Sequence, residues 1–306
     1  MTSMAVKSRR REHRRQKRVE RVQAKRYREE RERRERAQLE RASRHISLLS
    51  PKVVGCPVMR RVKSIKQPYG GYIPSRTLAA TVLGDGDETL SPDGDVSAIL
   101  IGIAVDYLTR LLSGSSAEES FDISLRGAWI VGEAGYASSL LSEVRGLDDV
   151  SVRNAIRLAG YDVCFRAGPR GYKPVEDIWP DDATIGNVRT MVGRALAFLE
   201  QYGPKTVDGF TFEGGYTDVI VAGDGDFLTE DTLWDFKVSK RRPTSQHTLQ
   251  LLVYWRMGLH SVHPEFQPIK YLGIFNPRLN TAYRIPVADI PQAVIDEVEQ
   301  QVIGYW

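Results

Sequence analysis

Thr232-Leu233-Trp234-Asp235-Phe236-Lys237-Val238 is an apolar run with two opposite charges near its middle. Its β-branched and aromatic content predicts a strand. The side-chain period of two puts Asp235 and Lys237 on one face, and turns Phe236 toward apolar surroundings on the other. Charges in such a strand are unfavourable without partners. Upstream, residues 209–213 and 216–222 are β-rich, and Gly223-Asp224-Gly225-Asp226 reads as a turn. That reading makes 216–222 the hairpin partner of 232–238 and brings Asp218 near Asp235. Two close carboxylates repel one another, and a hard cation such as Mg²⁺ or Mn²⁺ relieves the repulsion.

Downstream, Pro243-Thr244-Ser245 caps a helix that runs to about Leu259. Gln250 and Tyr254, four apart, share a face of it, and His247 lies on the same side. Residues 271–275 and 282–285 read as a hairpin around 276–280, followed by a terminal helix at about 291–303. Helical spacing covers about 96–113, 133–145, 150–166 and 184–201, the last ending at Gly203-Pro204. This order implies an α/β fold, a mixed β-sheet flanked by helices. The expected organisation is a basic arm at 1–45, a loop-rich lead-in at 46–95 and a single domain at 96–306.

An acid-x-Lys tripeptide occurs once in the chain, roughly as often as chance would supply it. The weight lies in the ordered set: Asp218, then Asp235-Phe236-Lys237 on a strand, then Gln250 through Tyr254 on the following helix. The set resembles the PD-(D/E)XK nuclease superfamily, in its RecB-like branch with a QxxxY motif. The resemblance covers 209–260, with looser similarity at 96–112 and 270–290. It implies a restriction-endonuclease-like core and hydrolysis of DNA phosphodiester bonds by a metal-activated water. It also implies Asp218, Asp235 and the Phe236 carbonyl as ligands of Mg²⁺ or Mn²⁺, Lys237 as the catalytic lysine, and Gln250 and Tyr254 as orienting groups. RecB-like enzymes carry His or Glu on the first core helix; the matching position here is Asp106, a further candidate ligand. The iron–sulfur cysteines of some relatives are missing, so no cluster is expected. A catalytically inactive nucleic-acid-binding protein on the same scaffold is the alternative.

Composition bounds the remainder. The chain has 306 residues, 42% of them hydrophobic and 27% charged, and carries a net charge of +4. Residues 1–45 alone hold 18 Lys and Arg against 7 Glu, a net of +11, which leaves −7 for the rest. The basic arm, through Arg14, Arg15, Lys17 and Arg18, and the loop residues Lys240, Arg241 and Arg242 are expected to supply sequence-independent phosphate contacts. The arm forms no heptad seam and is expected to be helical or disordered. Two cysteines exclude a disulfide scaffold, no transmembrane run or secretory leader is expected, and a cytoplasmic location is the expectation. No P-loop is present, so ATP-driven movement along DNA would need a separate helicase or recombination protein. His260 and His263 form a weak zinc candidate.

Overall fold

The computed structural model describes residues 55–84, 89–92, 94 and 96–306. The basic arm, with Arg14, Arg15, Lys17 and Arg18, lies outside the described residues. The protein is a mixed α/β structure built on a six-stranded mixed sheet. In chain order its strands are β2 (Ala79–Val82), β3 (Val207–Phe210), β5 (Gly225–Leu228), β6 (Thr232–Phe236), β7 (Tyr271–Asn276) and β8 (Thr281–Pro286). Across the sheet the order is β2-β8-β7-β6-β5-β3; β6 and β7 run parallel, and the other neighbouring pairs of this sheet are antiparallel. A parallel pair requires a crossover, and helix α9 (Ser245–Leu259) makes it. Two further strands, β1 (Cys56–Pro57) and β4 (Ile220–Ala222), form a separate parallel ladder.

The alternation read from 232–238 decides which layer packs where. Leu233 turns to the face covered by α9, in a core with Leu249, Leu252, Val253, Leu272 and Ile274. Trp234 turns to the other face, where Phe198 of α8 (Asp182–Tyr202) meets it edge-on at 4.7 Å and stacks on Phe275 at 4.1 Å. Each such fully buried large side chain contributes about 1.5–3 kcal/mol. These two layers fix the position of β6 at the centre of the sheet. A third core belongs to helices: α2 (Ala98–Leu112) packs with α4 (Asp122–Ile130), α5 (Ala134–Ser142), α6 (Asp149–Ala159) and α8. The short helices α3 (Ala117–Ser120) and α7 (Asp162–Ala167) complete that group.

Four sequence expectations change. The lead-in supplies more than loops, since β2 forms one edge of the main sheet and α1 (Val58–Ser64) buries Val58 and Val62 in the core beneath α9. The helix expected at 150–166 is two helices, broken at Gly160 and Tyr161, where Gly160 lies close against Val175 and Ile178. The strand expected at 216–222 shortens to Ile220–Ala222 and pairs with β1, not with β6. Its expected place beside β6 is taken by β5. The terminal segment expected as one helix continues from α10 (Gln292–Glu297) into a π-helical turn at Val298–Ile303.

Candidate functional site at the β5–β6 hairpin

β5 and β6 pair antiparallel with Phe227 opposite Trp234 and Leu228 opposite Leu233. One step further along the same register sets Asp226 opposite Asp235. Cross-strand neighbours lie about 4.5–5.5 Å apart at Cβ, so this hairpin juxtaposes two carboxylates. Asp226 Oδ2 also accepts a hydrogen bond from the Phe236 backbone N–H at 2.5 Å. Asp235 is only 2% exposed. Its Oδ1 accepts from Lys237 Nζ at 2.8 Å and from Gln250 Nε2 at 3.0 Å. The same Gln250 amide donates to the Tyr254 hydroxyl at 2.9 Å. The helical spacing of four, legible in the sequence, thus becomes a direct bond, and a chain runs Tyr254–Gln250–Asp235–Lys237.

The electrostatics follow from this crowding. Desolvation, then the charge of Asp235, push the Asp226 carboxyl up to about 7; Lys237 opposes the shift and Asp106 adds to it. Burial disfavours the charge on Lys237, but Asp235 and Asp226 outweigh it and raise its pKa, so the amine is an ammonium at neutral pH. Burial and the neighbouring Lys237 lower the pKa of His247, against the pull of Asp235. The Tyr254 hydroxyl is held neutral by burial and by the two aspartates. It sits among Phe210 and Phe212, with ring centroids at 5.9 and 5.3 Å.

The structure brings Asp235, Phe236, Lys237, Gln250 and Tyr254 together and leaves Asp218 out. Asp218 is exposed at the corner before β4. Thr217 Oγ1 accepts from the backbone N–H groups of Val219 and Ile220 at 3.1 and 3.0 Å and donates to the Ile303 carbonyl at 2.6 Å. That turn ties Asp218 to the C-terminal segment, where it lines a surface hollow with Gly304 and Trp306. The acid facing Asp235 is Asp226, which the sequence reading assigned to a turn. Asp106 comes within electrostatic reach of Asp226 and Lys237, but its Oδ1 is engaged by Arg110 Nε at 3.1 Å. Lys240, Arg241 and Arg242 are exposed in the β6–α9 connection. The buried Asn276 holds the start of that connection, donating from Nδ2 to the Ser239 carbonyl at 2.8 Å. Asn276 is a positioning residue that no motif in the sequence announces. His260 and His263 are separated onto different carboxylates, Glu299 at 3.2 Å and Glu213 at 2.7 Å.

Asp226 and Asp235 suit a hard cation in donor type and charge. Asp235 Oδ2 is buried without a hydrogen-bond partner, an arrangement that is unfavourable unless a cation or a proton satisfies it. Among the described residues, no three His, Cys, Asp or Glu side chains converge in ligand geometry. The protein therefore offers two facing carboxylates, with Asp106 as a third only if Arg110 releases it. The chain matches no protein-family profile, no curated protein and no solved structure.

Proposed function

We propose that this protein is a divalent-metal-dependent deoxyribonuclease on a restriction-endonuclease-like core, of the PD-(D/E)XK kind that the motif series resembles. One observation carries the reading: the cross-strand pair Asp226 and Asp235, with the Lys237 ammonium on one oxygen of Asp235 and the other oxygen buried and unpartnered. Acids on a β-hairpin, a crossover helix bearing Gln250 and Tyr254, and a parallel strand beyond it are the parts the resemblance calls for, in its order. Asp226 takes the place first expected of Asp218.

Asp226 and Asp235 would hold Mg²⁺ or Mn²⁺, with the Phe236 carbonyl as a further oxygen. When bound, the cation supplies a Lewis acid at the phosphate and lowers the pKa of an attacking water. Lys237, kept charged by the two aspartates, acts as a fixed positive charge for the developing phosphorane rather than as a base. Gln250 fixes the carboxylate of Asp235, and Tyr254 fixes the amide of Gln250, so the lysine is oriented before substrate arrives. Lys240, Arg241 and Arg242 follow Lys237 within a few residues in the exposed β6–α9 connection and would contact the phosphate backbone.

Incubating the full chain with linear double- and single-stranded DNA in Mg²⁺, Mn²⁺ or EDTA tests the proposal. Cleavage should require the cation and should fall at least about 10²-fold in Lys237→Ala, the range seen when one electrostatic stabiliser is removed. Cleavage by Lys237→Ala at the wild-type rate, or cleavage indifferent to EDTA, would exclude it.

A further inference from the structure

Helix α4 has two unlike faces. Its inner face meets α7: Ser124 Oγ donates to the buried Asp162 at 2.7 Å, and Gly127 sits so near the Tyr161 carbonyl that a Cβ would lie 2.1 Å from its oxygen. Its outer face carries Arg126 and Trp129, three apart and therefore adjacent. Trp129 is 75% exposed, far more than a large aromatic ordinarily is. The Arg126 guanidinium lies 5.7 Å from the ring centroid of Phe165 on α7, and that ring is itself exposed. Next to Phe165, Arg166 reaches Asp224 at 3.6 Å. Asp224 stands two residues before Asp226, so this contact links α7 to the segment that carries the candidate site.

We infer that Trp129 and Phe165, with Arg126 between helices α4 and α7, form a base-stacking platform for single-stranded nucleic acid, which guides an unpaired strand toward Asp226 and Asp235. The inference rests on the nuclease reading for its direction, but binding at the platform does not depend on cleavage. Bases stack on aromatic and guanidinium planes whatever their identity, provided that a complementary strand does not cover them. The setting also disfavours purely ionic binding. The body outside the arm has a net charge of −7, and Arg126 and Arg166 share their charge with Asp122, Asp162 and Asp224. Stacking is the attraction such a surface can offer to a polyanion. The packing of Ser124 and Gly127 fixes the two helices beforehand, so little ordering is needed on binding.

The test is fluorescence anisotropy of the full chain with a labelled oligothymidine twenty nucleotides long and with a blunt duplex of equal length, in EDTA so that nothing is cut. Trp129→Ala and Phe165→Ala should each weaken the single-strand complex by roughly 5- to 30-fold and leave the duplex complex unchanged, while Trp129→Phe retains most of the affinity. Undiminished single-strand affinity in both alanine variants, equal losses on single strand and duplex, or no oligothymidine binding by wild type would overturn the platform. Hydrolysis of bis(p-nitrophenyl) phosphate with Mn²⁺ separates this from the nuclease reading. Normal turnover in Trp129→Ala alongside lost strand affinity supports the platform. Selective loss of strand affinity in a protein whose wild type hydrolyses nothing also supports it, and retires the nuclease proposal instead.

Discussion

Asp226→Asn is expected to stabilise the cation-free protein at alkaline pH. In the folded chain the carboxyl of Asp226 is raised to about 7 from an ordinary value of 3.8, by burial and by the charge of Asp235. The folded state therefore binds a proton that the unfolded state has released across the window from 3.8 to 7. Stability must fall as pH rises through that window, and the whole penalty persists above it. Asparagine removes the charge and keeps an oxygen to accept the Phe236 N–H. The gain should be present in full at pH 8, shrink as pH falls through that window and vanish below about pH 4. Urea unfolding in EDTA at pH 8, 6 and 4 measures it. A variant less stable than wild type at pH 8, or a gain that does not change with pH, would contradict this electrostatic account. A functional group that weakens the fold carrying it is the usual trade between activity and stability.

The other carboxylate of the pair should behave in the opposite way. Asp235→Ala removes the acceptor shared by Lys237 and Gln250, both largely enclosed by the fold. An ammonium left without its counter-charge and an amide left without its acceptor cost about 3–5 kcal/mol together. Asp235→Asn should fall between alanine and wild type, because it still accepts from Gln250 but no longer neutralises Lys237. Chemical denaturation at pH 7 decides the matter: a loss below about 1 kcal/mol in Asp235→Ala would mean that the chain Tyr254–Gln250–Asp235–Lys237 does not hold the site. The two aspartates face one another across one hairpin, yet their replacements should shift stability in opposite directions. The difference lies in their partners, since Asp226 has a backbone N–H and Asp235 has a cation.

The parts of the site that obey a local period were legible in the sequence. Asp235 and Lys237 share a face because strand side chains alternate, and they are in contact at 2.8 Å. Gln250 and Tyr254 share a face because helices repeat every 3.6 residues, and they are bonded. The helices at Ala98–Leu112 and Asp182–Tyr202 and the hairpin of β7 and β8 follow from the same signals. Long-range pairing was not legible. β4 joins Cys56–Pro57, more than 160 residues earlier, and nothing local to 216–222 discloses that partner. Asp226 was hidden by composition. Gly223-Asp224-Gly225-Asp226 has the make-up of a turn, but Gly225 is a strand residue whose missing side chain leaves room for the Phe210 ring, 2.1 Å from where a Cβ would stand. One signal could have found it. Placing a two-residue turn at Glu230–Asp231, with Phe227-Leu228 and Leu233-Trp234 as the flanking apolar pairs, sets Asp226 opposite Asp235 by counting alone.

The claim that matters most is that Asp226, not Asp218, completes the site with Asp235. Cleavage of linear DNA in Mg²⁺ or Mn²⁺ by Asp226→Asn and Asp218→Asn, beside wild type, tests it most directly. Asp218→Asn should cut within about twofold of wild type, as expected of an exposed residue away from the chemistry. Asp226→Asn should lose at least about 10³-fold, comparable to the largest losses from removing one stabilising group, while remaining folded. Wild-type cleavage by Asp226→Asn, or silence from Asp218→Asn, would contradict the assignment.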